Sequence, residues 1–163
     1  MATRSIPILG NAIPDSSGKV YWQPYSISDS GAVIDPQILV FTNSGTKDGA
    51  RLSFFVPDNY VGSPVLIPKW TADATTGTLT WDWSLLSLED GEDVGGAATR
   101  TTETGTETKS GTAFLLQSHS ITLTAGDYEA GDLVNAEIFR DSVTDTMAAA
   151  ALLFGLKFQY SDV

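Results

Sequence analysis

The stretch that most constrains what this chain can fold into is residues 64–88, PVLIPKWTADATTGTLTWDWSLLSL. In its second half Leu79, Trp81, Trp83 and Leu85 recur at every other position, so an extended chain points all four to one side. Three of the four tryptophans lie here, and side chains of that size bury about 150–250 Å² each. We therefore expect a core β-hairpin built on Trp70, Leu79, Trp81, Trp83 and Leu85, with a sheet closing over it. Leu86 follows Leu85 directly and breaks the alternation. Both sides of that strand end are then apolar, either through a bulge or because the second side is covered, for instance by another subunit.

The flanking sequence reads as further strands separated by turn signals. Residues 1–18 mix short apolar pieces with Pro, Gly, Asn and Ser, which suggests an N-terminal arm or edge strand. Residues 19–27 (KVYWQPYSI) are aromatic and β-prone, and Pro24, which has no N–H to give a ladder, puts that strand at an edge or at a bulge. SDSGAVIDP reads as a turn. Residues 37–42 (QILVFT) and 50–56 (ARLSFFV) are expected to pair as a hairpin. The polar region 89–111 reads first as a long loop, with residues 98–108 as an exposed edge strand in the alternative, since threonine suits a solvated pleat. Residues 112–124 suggest a strand that is bulged or passes between sheets. Residues 133–140 form a strand with Val134, Ala136 and Ile138 on one face. At the C-terminal end a short helical turn is expected near residues 145–149, then a long strand alternating through Leu152, Phe154, Leu156, Phe158 and Tyr160.

Eight or nine strands with minimal helix imply an all-β fold, an antiparallel two-sheet β-sandwich of jelly-roll type, because each half-apolar sheet must bury its face against another. Residues 19–163 make a single sandwich domain, long enough to bury a core without disulfides or metals.

Composition narrows the chemistry. Nine basic against twenty acidic residues give a formal charge of −11, which repels a phosphate backbone, so nucleic acid is not an expected partner. There is no cysteine and one histidine, which disfavours zinc and copper sites, and no cofactor is expected. The first residues, MATRSIPILGNAIP, do not read as a signal peptide, and the longest uncharged apolar run, residues 147–156, is too short to cross a bilayer. The expectation is synthesis in a cytoplasm and no membrane partner.

Motifs for catalysis are thin. His119 lies between two serines with no nucleophile elbow nearby, and reads as structural or exposed. Asp82 and Glu137 are the acidic residues placed within confident strands; as a pair they could serve a glycosidase, although solvent-facing strand positions explain them as well. Glu89, Asp90, Glu92 and Asp93 could wrap calcium but lack the spacing of an EF-hand loop. Arg140, Asp141 and Asp145 could form an ion-pair network holding the last connection. No enzyme is expected. The aromatic residues Tyr21, Trp22, Tyr25 and Tyr60, near loops or edges, together with Leu86 and Leu88, are the candidates for a subunit interface or a sugar-binding platform.

The order FVPDNYVGSPVLIPKWTADATTGTLTWDWSLLSL, a polar loop, then LVNAEIFRD and DTMAAAALLFGLKFQYSD resembles small structural proteins of tailed phages. The resemblance covers about residues 50–163 and rests on the pattern W-T-A-x-A-T-x-G-x-L-x-W-D and the closing F-x-L-x-F-x-Y strand. It implies a virion-surface β-sandwich used in head decoration, cement or tail-fibre modules, with no active site to transfer. The expected partners are then further copies of itself, a trimer first, and a virion protein, with the N-terminal residues as an attachment arm. The alternative is a carbohydrate-binding or receptor-binding adhesin module, whose partners are glycans.

Overall fold

The computed structural model describes residues 1–29, 32–34, 36–93 and 100–163. In chain order the strands are β1 (Thr3–Pro7), β2 (Ile13–Pro14), β3 (Val20–Pro24), β4 (Ile27–Asp29), β5 (Ala32–Ile34), β6 (Gln37–Phe41), β7 (Lys47–Phe55), β8 (Tyr60–Ala72), β9 (Thr78–Leu88), β10 (Thr101–Thr108), β11 (Gln117–Ser118), β12 (Ile121–Thr122), β13 (Leu133–Asp141) and β14 (Ala151–Asp162). Among the described residues nine strands are five residues or longer, the rest are pieces of two or three, and helix is limited to two 3₁₀ turns, Leu9–Asn11 and Ala125–Asp127.

Two antiparallel sheets form the sandwich. A seven-stranded sheet runs β11-β8-β14-β6-β3, with β1 also on β14 and β12 also on β8. A five-stranded sheet runs β10-β9-β13-β7-β2, and β4 and β5 pair separately as a hairpin. Pro24 falls on β3, at the edge of its sheet, where a missing N–H costs no ladder bond. Thr3–Pro7 lies along β14 of the same chain, in register Thr3↔Ser161 to Pro7↔Lys157.

The core sits between the sheets. Trp70, Leu79, Trp81 and Trp83 are completely buried and Leu85 nearly so, as their alternation demands. The two tryptophan-bearing strands are nevertheless not a hairpin: β8 belongs to the seven-stranded sheet and β9 to the five-stranded one. The connection between them is an arch from one sheet to the other, so their apolar faces meet across the core instead of lying side by side. Gly77, at φ +104°, makes the arch possible, since a Cβ there would lie 2.8 Å from the Met147 backbone. The expected pairing of residues 37–42 with 50–56 fails for the same reason: β6 pairs β14 and β3, whereas β7 pairs β13 and β2.

Indole donors tie the layers together. Trp70 Nε1 donates to Glu107 Oε2 on β10 (2.8 Å), and Trp83 Nε1 donates to the Tyr128 hydroxyl (3.0 Å). Burial holds that hydroxyl well above the ordinary tyrosine range.

Five further expectations are corrected. Residues 101–108 are not loop but the edge strand β10, its threonines alternating outward, and residues 94–99 lie outside the described residues. Within SDSGAVIDP, expected as a turn, the backbone of 28–29 and 32–34 is paired strand in β4 and β5, and residues 30, 31 and 35 lie outside the described residues. Residues 112–124 carry only the two-residue bridges β11 and β12, and Phe114, Leu115 and Leu116 stand about half exposed. No helix forms near residues 145–149. There Arg140, 1% exposed, pairs with Asp145 at 2.6 Å and donates to the carbonyls of Met147 (2.5 Å) and Ala149 (2.7 Å), taking up acceptors a helix would use. Of the two alternatives at Leu86 the bulge is ruled out, since the register of β9 with β13 is continuous, and the side chain is half-buried.

Candidate ligand-binding cleft

The last strand positions the site. One flank of β14 pairs with β8 over most of its length. Its other flank is shared by two strands, β6 opposite residues 151–153 and β1 opposite residues 157–161. Between them Phe154 and Gly155 have no strand partner on that flank, and the chain closes only at Ile8, whose N–H donates to the Leu156 carbonyl (2.9 Å). At this gap the register with β8 jumps from Leu153↔Trp70 to Gly155↔Lys69, so Phe154 is the extra residue of a β-bulge. Bulges re-aim side chains. Ala151 and Leu153 enter the core before it, Leu156, Phe158 and Tyr160 after it, and the uniform alternation expected from Leu152 to Tyr160 is broken.

A cleft of about 350 Å³ lies at this break, lined by Leu9, Trp22, Gln37, Lys69, Phe154 and Lys157 among others. Trp22 is anchored, its Nε1 donating to the Ala12 carbonyl (3.0 Å) while the ring packs on the core. Phe154 is braced edge-on by Tyr25, centroids 5.1 Å apart at 78°. Gln37 opens β6 opposite Pro24 and is exposed. Lys69 lies opposite Gly155 on β8, two residues along from the Lys157 position on β14. Among the described residues no acidic side chain lines the cleft, and neither lysine has a carboxylate within ion-pair distance. The arrangement offers aromatic surface, an amide and two ammonium donors, the means by which a sandwich holds a polar, ring-shaped ligand.

The cations on the outer face of the five-stranded sheet are engaged. Glu137, 5% exposed, takes Arg51 and Arg100 at 3.5 Å each. Asp82, 2% exposed, pairs with Lys47 and accepts from Thr104 Oγ1 (2.5 Å), and Lys47 reaches Asp141 at 3.6 Å. The Asp82 bond holds the Lys47 ammonium above its ordinary range. The two carboxylates weighed as a catalytic pair are thus each occupied by cations and buried.

The other sequence candidates scatter. Tyr21, 41% exposed, stands opposite Val40 and does not line the cleft. Tyr60 packs on Phe158 and Tyr160, and Leu88 is buried beside the Leu133 end of β13. His119 fills the space over Gly105, where a Cβ would come within 2.5 Å of its Nε2, and sits 4.0 Å from Glu107. A separate recess of about 190 Å³ gathers Glu89, Glu92, Asp127, Glu129 and Asp132. Repulsion from Glu129 and Glu92 pushes the Glu89 carboxyl up. Among the described residues no group of three His, Cys, Asp or Glu is placed to hold a metal ion. Sequence reasoning missed Gln37, Lys69 and Lys157; the only sign of Phe154 was its place in the final alternation.

Fold and cleft together define a jelly-roll β-sandwich with one concave, aromatic and cationic site. No family model matches the chain, and no curated protein matches it. Solved structures do. The CBM22-1 xylan-binding domain from Paenibacillus barcinonensis Xyn10C superposes with a TM-score of 0.55 at 13% identity, over 99% of this chain and 94% of that one. The CBM36-1 domain of a multidomain xylanase from the hindgut metagenome of Trinervitermes trinervoides gives 0.49 at 10% identity, over 99% and 100%. A family 35 carbohydrate-binding module from Clostridium thermocellum gives 0.46 at 13%, over 95% and 97%. These structural neighbours are carbohydrate-binding modules and not phage proteins, and at such identities the likeness concerns the fold.

Proposed function

We propose that this protein is a non-catalytic carbohydrate-binding module, in the sense that covers receptor-binding adhesin domains, and that the cleft at the break in the seven-stranded sheet takes the glycan. The observation that carries this reading is the convergence on one cleft of Trp22, Phe154, Gln37 and two lysines that have no carboxylate partner among the described residues. Sugars present apolar C–H faces and a rim of hydroxyls. The rings of Trp22 and Phe154 match the first, and the amide and ammonium groups match the second. The fold shared with a xylan-binding domain supports the reading at the level of the scaffold.

Affinity electrophoresis through gels containing soluble polysaccharides tests it. Migration should be retarded by at least one polymer, and Phe154→Ala should weaken that retention about tenfold while the variant stays folded, since a stacked aromatic contributes about 0.5–1.5 kcal/mol. Retention unchanged in Phe154→Ala contradicts this site.

A second reading, a homo-oligomeric structural module on a virion surface, draws on a different feature. Phe114, Leu115 and Leu116 are 48, 49 and 53% exposed on one loop, an apolar run of the kind that subunit contacts cover. Sedimentation of the purified chain discriminates: a trimer that Leu115→Glu dissociates favours assembly, whereas a monomer at high concentration counts against it.

A further inference from the structure

Resting on the glycan-binding reading, we infer that the cleft selects acidic glycans, with the carboxylate of a uronic acid residue held between Lys69 and Lys157. The chain has nine basic residues. Arg4, Lys47, Arg51, Arg100 and Arg140 are each paired with a carboxylate, and Lys109 is buried with its ammonium on the carbonyl oxygen of Thr112 (2.8 Å). Of the remaining three, Lys19 is exposed on a turn, and the other two line the same cleft. In a protein with twenty acidic residues, two adjacent lysines with no carboxylate partner among the described residues are a local reversal of sign. They are diagonal neighbours on β8 and β14, where like charges repel unless an anion lies between them. Gly155, opposite Lys69, adds no side chain to the space between them.

Two ammonium groups on one carboxylate give charge-assisted hydrogen bonds, stronger than those to hydroxyls. Trp22 and Phe154 supply the flat surface for the sugar ring that carries it. The acidic recess near Glu89 has the opposite character and would repel the same ligand. The net charge of −11 also disfavours indiscriminate binding of polyanions, so retention by an acidic polymer reports a built site.

The test sets polygalacturonate and glucuronoxylan against the same two polymers after chemical reduction of their carboxyl groups, in affinity gels with the full chain. We expect at least one acidic polymer to bind at least tenfold tighter than its reduced form, and this preference to shrink as sodium chloride is raised. The double variant Lys69→Gln/Lys157→Gln should lose the preference, holding the acidic polymer no more tightly than its reduced form, while an unfolding midpoint in denaturant close to that of wild type shows that it folds. Equal binding of acidic and reduced polymers, or binding of neutral polymers alone, overturns the acidic selectivity and leaves the glycan reading intact. Retention by no polymer overturns both.

Discussion

On the five-stranded sheet Lys47, Arg51 and Arg100 are each set against a buried carboxylate, while on the seven-stranded sheet Lys69 and Lys157 lie close together with none among the described residues. The first face is internally neutralised. Its carboxylates Asp82, Glu137 and Asp141 have lost most of their water and depend on those cations. The second has an interrupted strand edge, a bulged phenylalanine and two lysines with no carboxylate partner among the described residues. A face that satisfies its own charges has little to offer a ligand; a cleft with unsatisfied donors and aromatic surface does. The contrast is why the proposed glycan site lies on the seven-stranded sheet.

The largest expected effect breaks the neutralised face. Asp82→Ala removes the partner of Lys47 and Thr104 and should cost about 2 kcal/mol in denaturant unfolding, less than the roughly 3–5 kcal/mol of a wholly buried pair because Lys47 is half exposed. Its glycan retention should match wild type. Next, Tyr25→Ala removes the edge contact that braces Phe154 and should weaken retention about fivefold, an effect of about 1 kcal/mol. Unchanged retention would mean Phe154 is held by other neighbours. Smaller still is Glu137→Gln, where Arg51 and Arg100 are largely solvated; a stability change under about 1 kcal/mol is expected, with unaltered retention. A glycan-cleaving activity in wild type that this variant abolished would instead restore the hydrolase idea.

Acid titration probes the seam beside the cleft. Asp162 accepts from Arg4 and from the Ala2 N–H, and the Arg4 hydrogen bond holds its carboxyl below the ordinary range. A lowered folded-state pKa gives stability that is present above the unfolded value and lost as pH falls through the folded one. Between about pH 5 and pH 1 wild type should therefore lose more stability than Asp162→Asn.

Much of the fold was legible because side-chain alternation encodes which residues face a core. Val134, Ala136 and Ile138 on β13, and Leu79 to Leu85 on β9, are where period two puts them. Alternation does not encode which strand lies next. Trp70 and Trp81 enter the same core whether β8 and β9 pair or face each other across it, and the five residues between them include no two-residue Asn-Gly or Asp-Gly turn to force pairing. The site was less legible still. Trp22 and Tyr25 stood out as aromatics near an edge, but Lys69 and Lys157 are far apart in the chain and meet only through the β8–β14 register. The bulge that turns Phe154 outward is hidden within an apparently regular strand pattern.

Backbone and indole N–H mapping by two-dimensional NMR, during titration with acidic xylo-oligosaccharides derived from glucuronoxylan, tests the central claim most directly. The account predicts saturable shifts at the Trp22 indole N–H and at Gln37, Lys69, Gly155 and Lys157, with Arg51, Glu137 and Asp82 unmoved. Shifts centred on the five-stranded face, or none at all, would contradict it.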